Sequence, residues 1–358
     1  MEAVLLVGGQ GTRLRPLTLT TPKPMLPVAN FPCTAHQIVK ARDAGITRIV
    51  LGTSYKAEVF EEYFGDGSEF GVELVYVVED SPLGTGGAIR NVASALRSEP
   101  GDPVVILNGD ILSGHDLRRQ VREHLEHDAD VTLHLINVDD PRPFGLVPTD
   151  ANGRVLEFRE KPTTPEEIVT NQINAGCYVF KRSVIDGIPA GRVVSVERET
   201  FPGLLESGAG VYSFLDNSYW LDLGNPLAFV QGSRDLVRGE CPSSLVARPG
   251  ELLVATNAEV DASAVVRGGS AVAAGAVVAD GAVVDGSVVM AGARIDSGAV
   301  VENSIVGAGA VIGRNVHLDG VVVADGARVD EGNELLLGAR VWPNAHISAQ
   351  TIRFSTVD

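Results

Sequence analysis

The chain has 358 residues, 44% of them hydrophobic, with 29 basic and 46 acidic side chains for a formal charge of -17. That length favours two domains over one, and that charge excludes a broad nucleic-acid-binding face, so an anionic ligand must be gripped by a few local cations or a metal ion. Cys33, Cys177 and Cys241 stand far apart with no Cys-x-x-Cys pair, which argues against a disulfide scaffold or cysteine zinc site and fits a reducing compartment.

The first element is a predicted strand, Ala3–Val7, with no signal-peptide pattern before it. No run of 18 apolar residues follows anywhere, so a cytoplasmic protein without a membrane span is expected. The strand empties into Gly8-Gly9-Gln10-Gly11-Thr12-Arg13. Glycines let the backbone approach phosphate oxygens and aim N–H groups at them, and Arg13 adds a fixed-charge fork for the same anion. No Lys-Ser/Thr pair closes a Walker loop, and Leu14 replaces the third glycine of the dinucleotide fingerprint. Prolines at 16, 22, 24 and 27 then exclude a regular helix and display Lys23 from a stiff segment.

Strands are expected at Arg48–Leu51, Glu73–Val77, Pro103–Leu107, Val131–Ile136 and Cys177–Phe180. Helices are expected at Ala35–Ala44, Ala57–Phe64, Gly87–Leu96 and Leu117–His127, with Gly45 as a helix stop. Alternation of this kind predicts an α/β fold with a Rossmann-like, mainly parallel sheet covered on both faces. Ligands of such sheets sit beyond the carboxyl ends of the strands, where the glycine loop and Asn108-Gly109-Asp110 both emerge. Asp110 after its strand and Asp222 in Tyr219-Trp220-Leu221-Asp222 read equally well as ligands or as turn and cap residues.

From about residue 258 the pattern changes. Gly275, Gly292, Gly309 and Gly326 each open a Gly-Ala-x-Val/Ile copy at a spacing of 17, and Gly281, Gly298, Asn315 and Gly332 open a second segment within each copy. The expected product is a three-sided coil of stacked short strands. The predicted organisation is a domain over 1–237, a linker over 238–257 containing Pro242 and Pro249, coils over 258–342, and a tail over 343–358. Open coil ends carry unpaired edge groups, so self-association through the coils is expected.

GGQGTRLRPLTLTTPKPMLP resembles the N-terminal motif of the sugar-1-phosphate nucleotidyltransferases. The resemblance continues through EDSPLGTGGA (79–88), NGD (108–110), EKP (160–162), NAGCYVF (174–180) and YWLDLGNP (219–226), about the first two thirds of the chain. Within that family it is nearest to the bacterial enzymes that act on GTP and mannose 1-phosphate, and the 17-residue coils resemble the left-handed parallel β-helix appended to many members.

The resemblance implies that a sugar-phosphate oxygen attacks the α-phosphorus of a nucleotide while pyrophosphate leaves. It assigns Asp110 and Asp222 to Mg²⁺, Arg13 to the leaving pyrophosphate, Lys23 to the α-phosphate and Lys161 to the sugar's phosphate. Gly8, Gly9, Gly11 and Thr12 join Arg13 around the nucleotide, while Glu160, Asn174 and the Gly145 amide read sugar hydroxyls. The family usually has threonine where this chain has Asn225.

Glu79 stands in a region where many thymidylyl and uridylyl relatives carry glutamine. Glutamine both donates and accepts, matching thymine or uracil; a carboxylate only accepts, which suits the adjacent N1–H and N2–H donors of guanine. A guanine pocket built from Glu79, Gly84 and Thr85 follows as an expectation. Rival readings are a heptose 1-phosphate guanylyltransferase, a glucose 1-phosphate thymidylyl- or uridylyltransferase, a non-catalytic scaffold, and a bifunctional acyltransferase using His317 as base.

Overall fold

The computed structural model describes residues 1–54, 56–162 and 164–354, with the backbone but not the side chain of Glu160. The chain forms two compact units, Met1–Gly9 with Gln37–Trp220, and Gln10–His36 with Leu221–Asp358.

In the first unit, Glu2–Leu6 pairs in parallel with Pro103–Asn108 on one side and Arg48–Thr53 on the other, and Glu73–Val78 follows in parallel. Val4, Val50, Val104 and Ile106 are fully buried, as strands covered on both faces require. Gln172–Lys181 extends the sheet antiparallel to Pro103–Asn108. It also pairs with Gly145–Leu146 and with Val131–Asn137, and Arg159–Glu160 pairs beyond Gly145–Leu146. Val211–Leu215 runs parallel to Val131–Asn137. The sheet is therefore parallel-rich with an antiparallel extension.

Helix Cys33–Asp43 ends as its sequence predicts: Gly45 takes φ 93, its N–H reaches Arg42 O, and Ile46 N–H reaches Ala41 O. Those two bonds satisfy carbonyls that the last turn leaves orphaned. The expected helix from Gly87 starts earlier, at Gly84, and passes into a 3-10 turn over Val92–Ala95.

The second unit holds a three-sided parallel β-helix, consistent with the left-handed coil expected. Among the described residues two faces carry six strands and the third five. Interior steps are 17 residues, as where Val288 pairs with Ile305 and Ile305 with Val322. Terminal steps are 18: Leu252 pairs with Ser270, and Arg328 with His346. The ladder thus begins inside the stretch expected to be linker and continues past 342, because a repeat of 17 does not register coils of 18. The contiguous boundary at 237/238 differs from the compact units for a second reason. Asn30 donates Nδ2 to Leu253 O and Val272 O, and Ser233 Oγ accepts from Ala29 N–H, joining Gln10–His36 to the coils and to helix Pro226–Arg238.

The prism is filled by alanine, valine and isoleucine columns such as Ala276, Ala293, Ala310 and Ala327, all fully buried. Serines form a further column. Ser270, Ser287 and Ser304 are buried, and each hydroxyl accepts from the backbone N–H one coil on, at Ser287, Ser304 and Val321. Each also donates to a carbonyl, so every rung is satisfied.

Candidate active site

In the second unit the loop after the first strand turns through Gly11 at φ 57 into three short 3-10 turns, Thr12–Leu14, Leu17–Leu19 and Lys23–Met25. No α-helix forms there, as the prolines require. A Cβ on Gly11 would stand 2.8 Å from Lys23 Cβ, so the glycine lets the loop close against the lysine. Lys23 is not displayed to solvent as its stiff segment suggested. Its side chain is 11% exposed, with Nζ 3.7 Å from Asp222 Oδ1. The Arg13 guanidinium lies against Gly224, where a Cβ would come 2.7 Å from Nη2. Asn225 caps helix Pro226–Arg238 by accepting from Ala228 N–H at 3.0 Å, a task threonine performs equally well. Arg13, Lys23 and Asp222, three residues assigned separately from sequence, thus belong to one compact unit.

Gly8 and Gly9 belong to the first unit, exposed beyond the strand end; a Cβ on Gly9 would meet open space. Asp110 sits in the turn between Pro103–Asn108 and Ile111–Ser113. A Cβ on Gly109 would lie 2.7 Å from Leu6 O, so only glycine lets this turn press against the first strand. The capping role open to Asp110 from sequence belongs instead to Asp116, whose side chain accepts from Arg119 N–H at the start of Leu117–Glu126.

Glu79 follows Glu73–Val78, its N–H bonded to Thr53 O. Its Oε1 is buried and has no hydrogen-bond partner among the described residues. Burial raises its pKa, and the Leu83 N–H offsets only part of that rise. Gly84 and Thr85 are explained mostly by packing. A Cβ on Gly84 would strike Val194 O at 2.6 Å, and the Gly86 N–H is spent on the same carbonyl. Thr85 Oγ1 donates to Glu197 Oε2 and accepts from Val196 N–H, so its one hydrogen is used and a single lone pair remains.

The sugar-side residues gather at the antiparallel end of the sheet. Gly145 and Glu160 are cross-strand partners, and Lys161 N–H bonds to Phe144 O. Lys161 holds φ 45, a left-handed backbone that non-glycine residues adopt at a cost and often at ligand sites. The Glu160 side chain lies outside the described residues. Asn174 Nδ2 donates to Tyr178 OH at 2.8 Å and its Oδ1 accepts from Gly176 N–H, which fixes the bulge between Asn174 and Tyr178. One amide hydrogen and one lone pair remain for a ligand.

Sequence reasoning did not foresee that the strap 192–199 packs against Gly84–Gly87. Glu197 joins Thr85 and Ser195 Oγ, while Arg192 pairs with Glu199. Its signal was the repeated glycine at 84, 86 and 87, whose missing side chains make room for Arg192–Val194. His36, His124 and His134 are pushed down to about 4 by burial, and burial also holds His115 well below its ordinary value, so these rings are uncharged structural groups near neutrality. His317 bonds to Glu302 across neighbouring coils. No helix among the described residues is long and apolar enough to cross a membrane.

Residues 2–239 match the family described as Nucleotidyl transferase, and residues 248–357 match the GMPPB C-terminal domain. The mannose-1-phosphate guanylyltransferase of Mycobacterium tuberculosis is 52% identical over 99% of this chain and 98% of its own. The mannose-1-phosphate guanylyltransferase catalytic subunit beta of Drosophila melanogaster is 38% identical over 64% of this chain and 61% of its own. Among solved structures, HddC from Yersinia pseudotuberculosis complexed with GMP-PN superposes with TM-score 0.55 at 26% identity, covering 65% of this chain and 98% of that one. A family match over two thirds of the chain, continued by a relative half identical along nearly all of it, makes this protein an enzyme of the nucleotidyl transferase family.

Proposed function

We propose that the protein is a mannose-1-phosphate guanylyltransferase, converting GTP and mannose 1-phosphate to GDP-mannose and pyrophosphate. The full-length likeness to the mycobacterial enzyme supports the reaction. The observation that carries the choice of base is the Glu79 carboxylate, with one oxygen buried and unmatched. Guanine supplies the two adjacent donors such a group lacks, while thymine would set its O4 against it.

In this reading an oxygen of mannose 1-phosphate attacks the α-phosphorus in line, the α–β phosphoanhydride bond breaks, and pyrophosphate leaves with the bond electrons. Positioning and charge neutralisation supply the catalysis, without a protein nucleophile. Arg13, with the loop of Gly8, Gly9, Gly11 and Thr12, holds the departing pyrophosphate. Lys23 meets the α-phosphate, and Lys161 the sugar's phosphate. Gly145, Glu160 and Asn174 read sugar hydroxyls. Glu79 reads guanine beside Gly84 and Thr85, whose hydroxyl hydrogen is committed to Glu197.

Asp110 and Asp222 would hold Mg²⁺. Their carboxylate oxygens are the hard donors that ion prefers, and it commonly takes only one or two carboxylates, the rest being phosphate oxygens and water. Among the described residues no group of three His, Cys, Asp or Glu side chains is arranged as a metal cage. When bound, it supplies charge neutralisation at the phosphates.

A cytoplasmic location fits the three buried, widely spaced cysteines, and the open coil ends suit association with a second copy. Light scattering on a chain ending near residue 240 tests that association: a lower oligomeric state supports it, and an unchanged one removes it. The test of the function is a matrix of five nucleoside triphosphates against mannose, glucose and heptose 1-phosphates, scored by pyrophosphate release. GTP with mannose 1-phosphate should give the highest kcat/KM; a clear maximum elsewhere refutes the assignment.

A further inference from the structure

The segment Gln10–His36 carries both cations placed above on the nucleotide phosphates, and within its unit it is fastened to the β-helix at three levels. Asn30 Nδ2 donates to Leu253 O at 3.3 Å and to Val272 O at 3.1 Å, bridging the first two strands of one six-stranded face. Thr20 Oγ1 donates to Asp325 Oδ2 at 2.7 Å, while Asp325 Oδ1 accepts from Ala308 N–H, so the coil itself fixes the carboxylate. Arg340 Nη1 donates to Arg15 O from the last strand of that same face. Six strands make five steps of ~4.8 Å, so the anchors span ~24 Å of a continuously hydrogen-bonded ladder.

The anchors lie close in sequence to the groups that matter. Arg15 is two residues beyond Arg13, and Thr20 is three before Lys23. Between Thr20 and Lys23 the chain includes Pro22, whose fixed φ leaves little slack. The Thr20–Asp325 bond is solvent-exposed, so it contributes little to global stability. Its geometric reach is larger than its energy: it sets where the Lys23 backbone stands.

We propose that the β-helix is a positioning scaffold for the phosphate-binding segment, with Asp325 and Arg340 as positioning residues acting through Thr20 and Arg15. This rests on the phosphate roles given to Lys23 and Arg13. It gives the repeat domain a part in the reaction itself, separate from any role in self-association.

The test uses the full chain and whichever nucleotide–sugar pair the wild type turns over fastest. Thr20→Val and Asp325→Ala should each lower kcat by about tenfold, the scale of a small misplacement of a catalytic group, with KM for the nucleotide moving less. Thr20→Ser keeps the hydroxyl and should keep the rate. The double variant Thr20→Val/Asp325→Ala should lose clearly less than the sum of the two single losses, since both break the Thr20–Asp325 bond. Arg340→Ala should lower kcat in the same sense, and melting temperatures should stay close to wild type. Wild-type kcat in both Thr20→Val and Asp325→Ala, or additive losses in the double variant, would overturn the proposal while Lys23→Ala remains inactive. A fully active Lys23→Ala would instead overturn the phosphate role of Lys23, and the proposal with it.

Discussion

Buried polar groups are treated in opposite ways in the coils and beside the first unit's glycine-rich helix. In the coils Ser270, Ser287 and Ser304 are fully enclosed, yet each hydroxyl accepts from the next coil and donates to a carbonyl. At Glu79 a carboxylate oxygen is enclosed with no partner among the described residues, although an unmet buried acceptor costs a fold about 1–3 kcal/mol. Completeness marks the part whose work is to stand still. At Glu79 the incompleteness suits a partner that arrives from outside.

The largest expected effect falls on Lys23. If Gln10–His36 were only another structural layer of its unit, Lys23→Ala would lower the melting temperature and spare turnover. The proposed function requires the reverse: kcat down by about 10²–10³-fold, the range for losing one donor at a charge-developing oxygen, with the protein still folded. Steady-state pyrophosphate release alongside thermal melts decides between them. Glu79→Gln comes next. Replacing an acceptor-only group by one that also donates should shift the ratio of kcat/KM for GTP over dTTP by about 10²-fold toward dTTP. An unchanged ratio would remove Glu79 from base reading and blunt the contrast with the serine column.

These contrasts were unequally legible in the sequence. Corner glycines repeat at 17, so Gly275, Gly292, Gly309 and Gly326 announced their left-handed turns, and all four have positive φ. The corner through Gly286, Asn303, Gly320 and Leu337 has the same handedness but mixed residue types, and went unread. The outermost strands, Leu252–Val254 and His346–Ile347, were missed because one added residue breaks the period. Gly84-Thr85-Gly86-Gly87 looked like a ligand cradle, and the structure shows that much of its glycine content makes room for residues 192–194, a segment more than a hundred positions away. Asp110 and Asp222 were assigned through resemblance alone, since one carboxylate in a turn looks like another until the cap at Asp116 is seen. Sequence reports what repeats or what is local; packing partners distant along the chain leave no such trace.

Ser287→Ala tests the satisfied side. It strands the Ser304 N–H and the Val301 carbonyl inside the prism, so stability should fall by about 1–3 kcal/mol in denaturant titration. The GTP-to-dTTP ratio should not move. A changed ratio would mean that the coil interior communicates with base choice, against the division drawn above.

The smallest effect is also the most discriminating, because Glu79→Gln should help the fold while harming selectivity. Burial holds the Glu79 pKa above its ordinary value, so the folded state takes up its proton more readily than the unfolded chain. Above the raised folded pKa both states are ionised, and the enclosed charge destabilises the fold by its full amount. As pH falls through the folded and then the unfolded pKa, that penalty disappears. Glu79→Gln should therefore melt at or slightly above the wild-type temperature at neutral pH, and the difference should vanish in acid. Guanine recognition runs the other way, since only the ionised carboxylate accepts both donors. The wild-type KM for GTP should rise as pH drops through the raised pKa, and the variant should lack that limb. A variant that melts lower at neutral pH would show that the Glu79 carboxylate is satisfied in solution, and the sign of a single melting shift is enough to decide it.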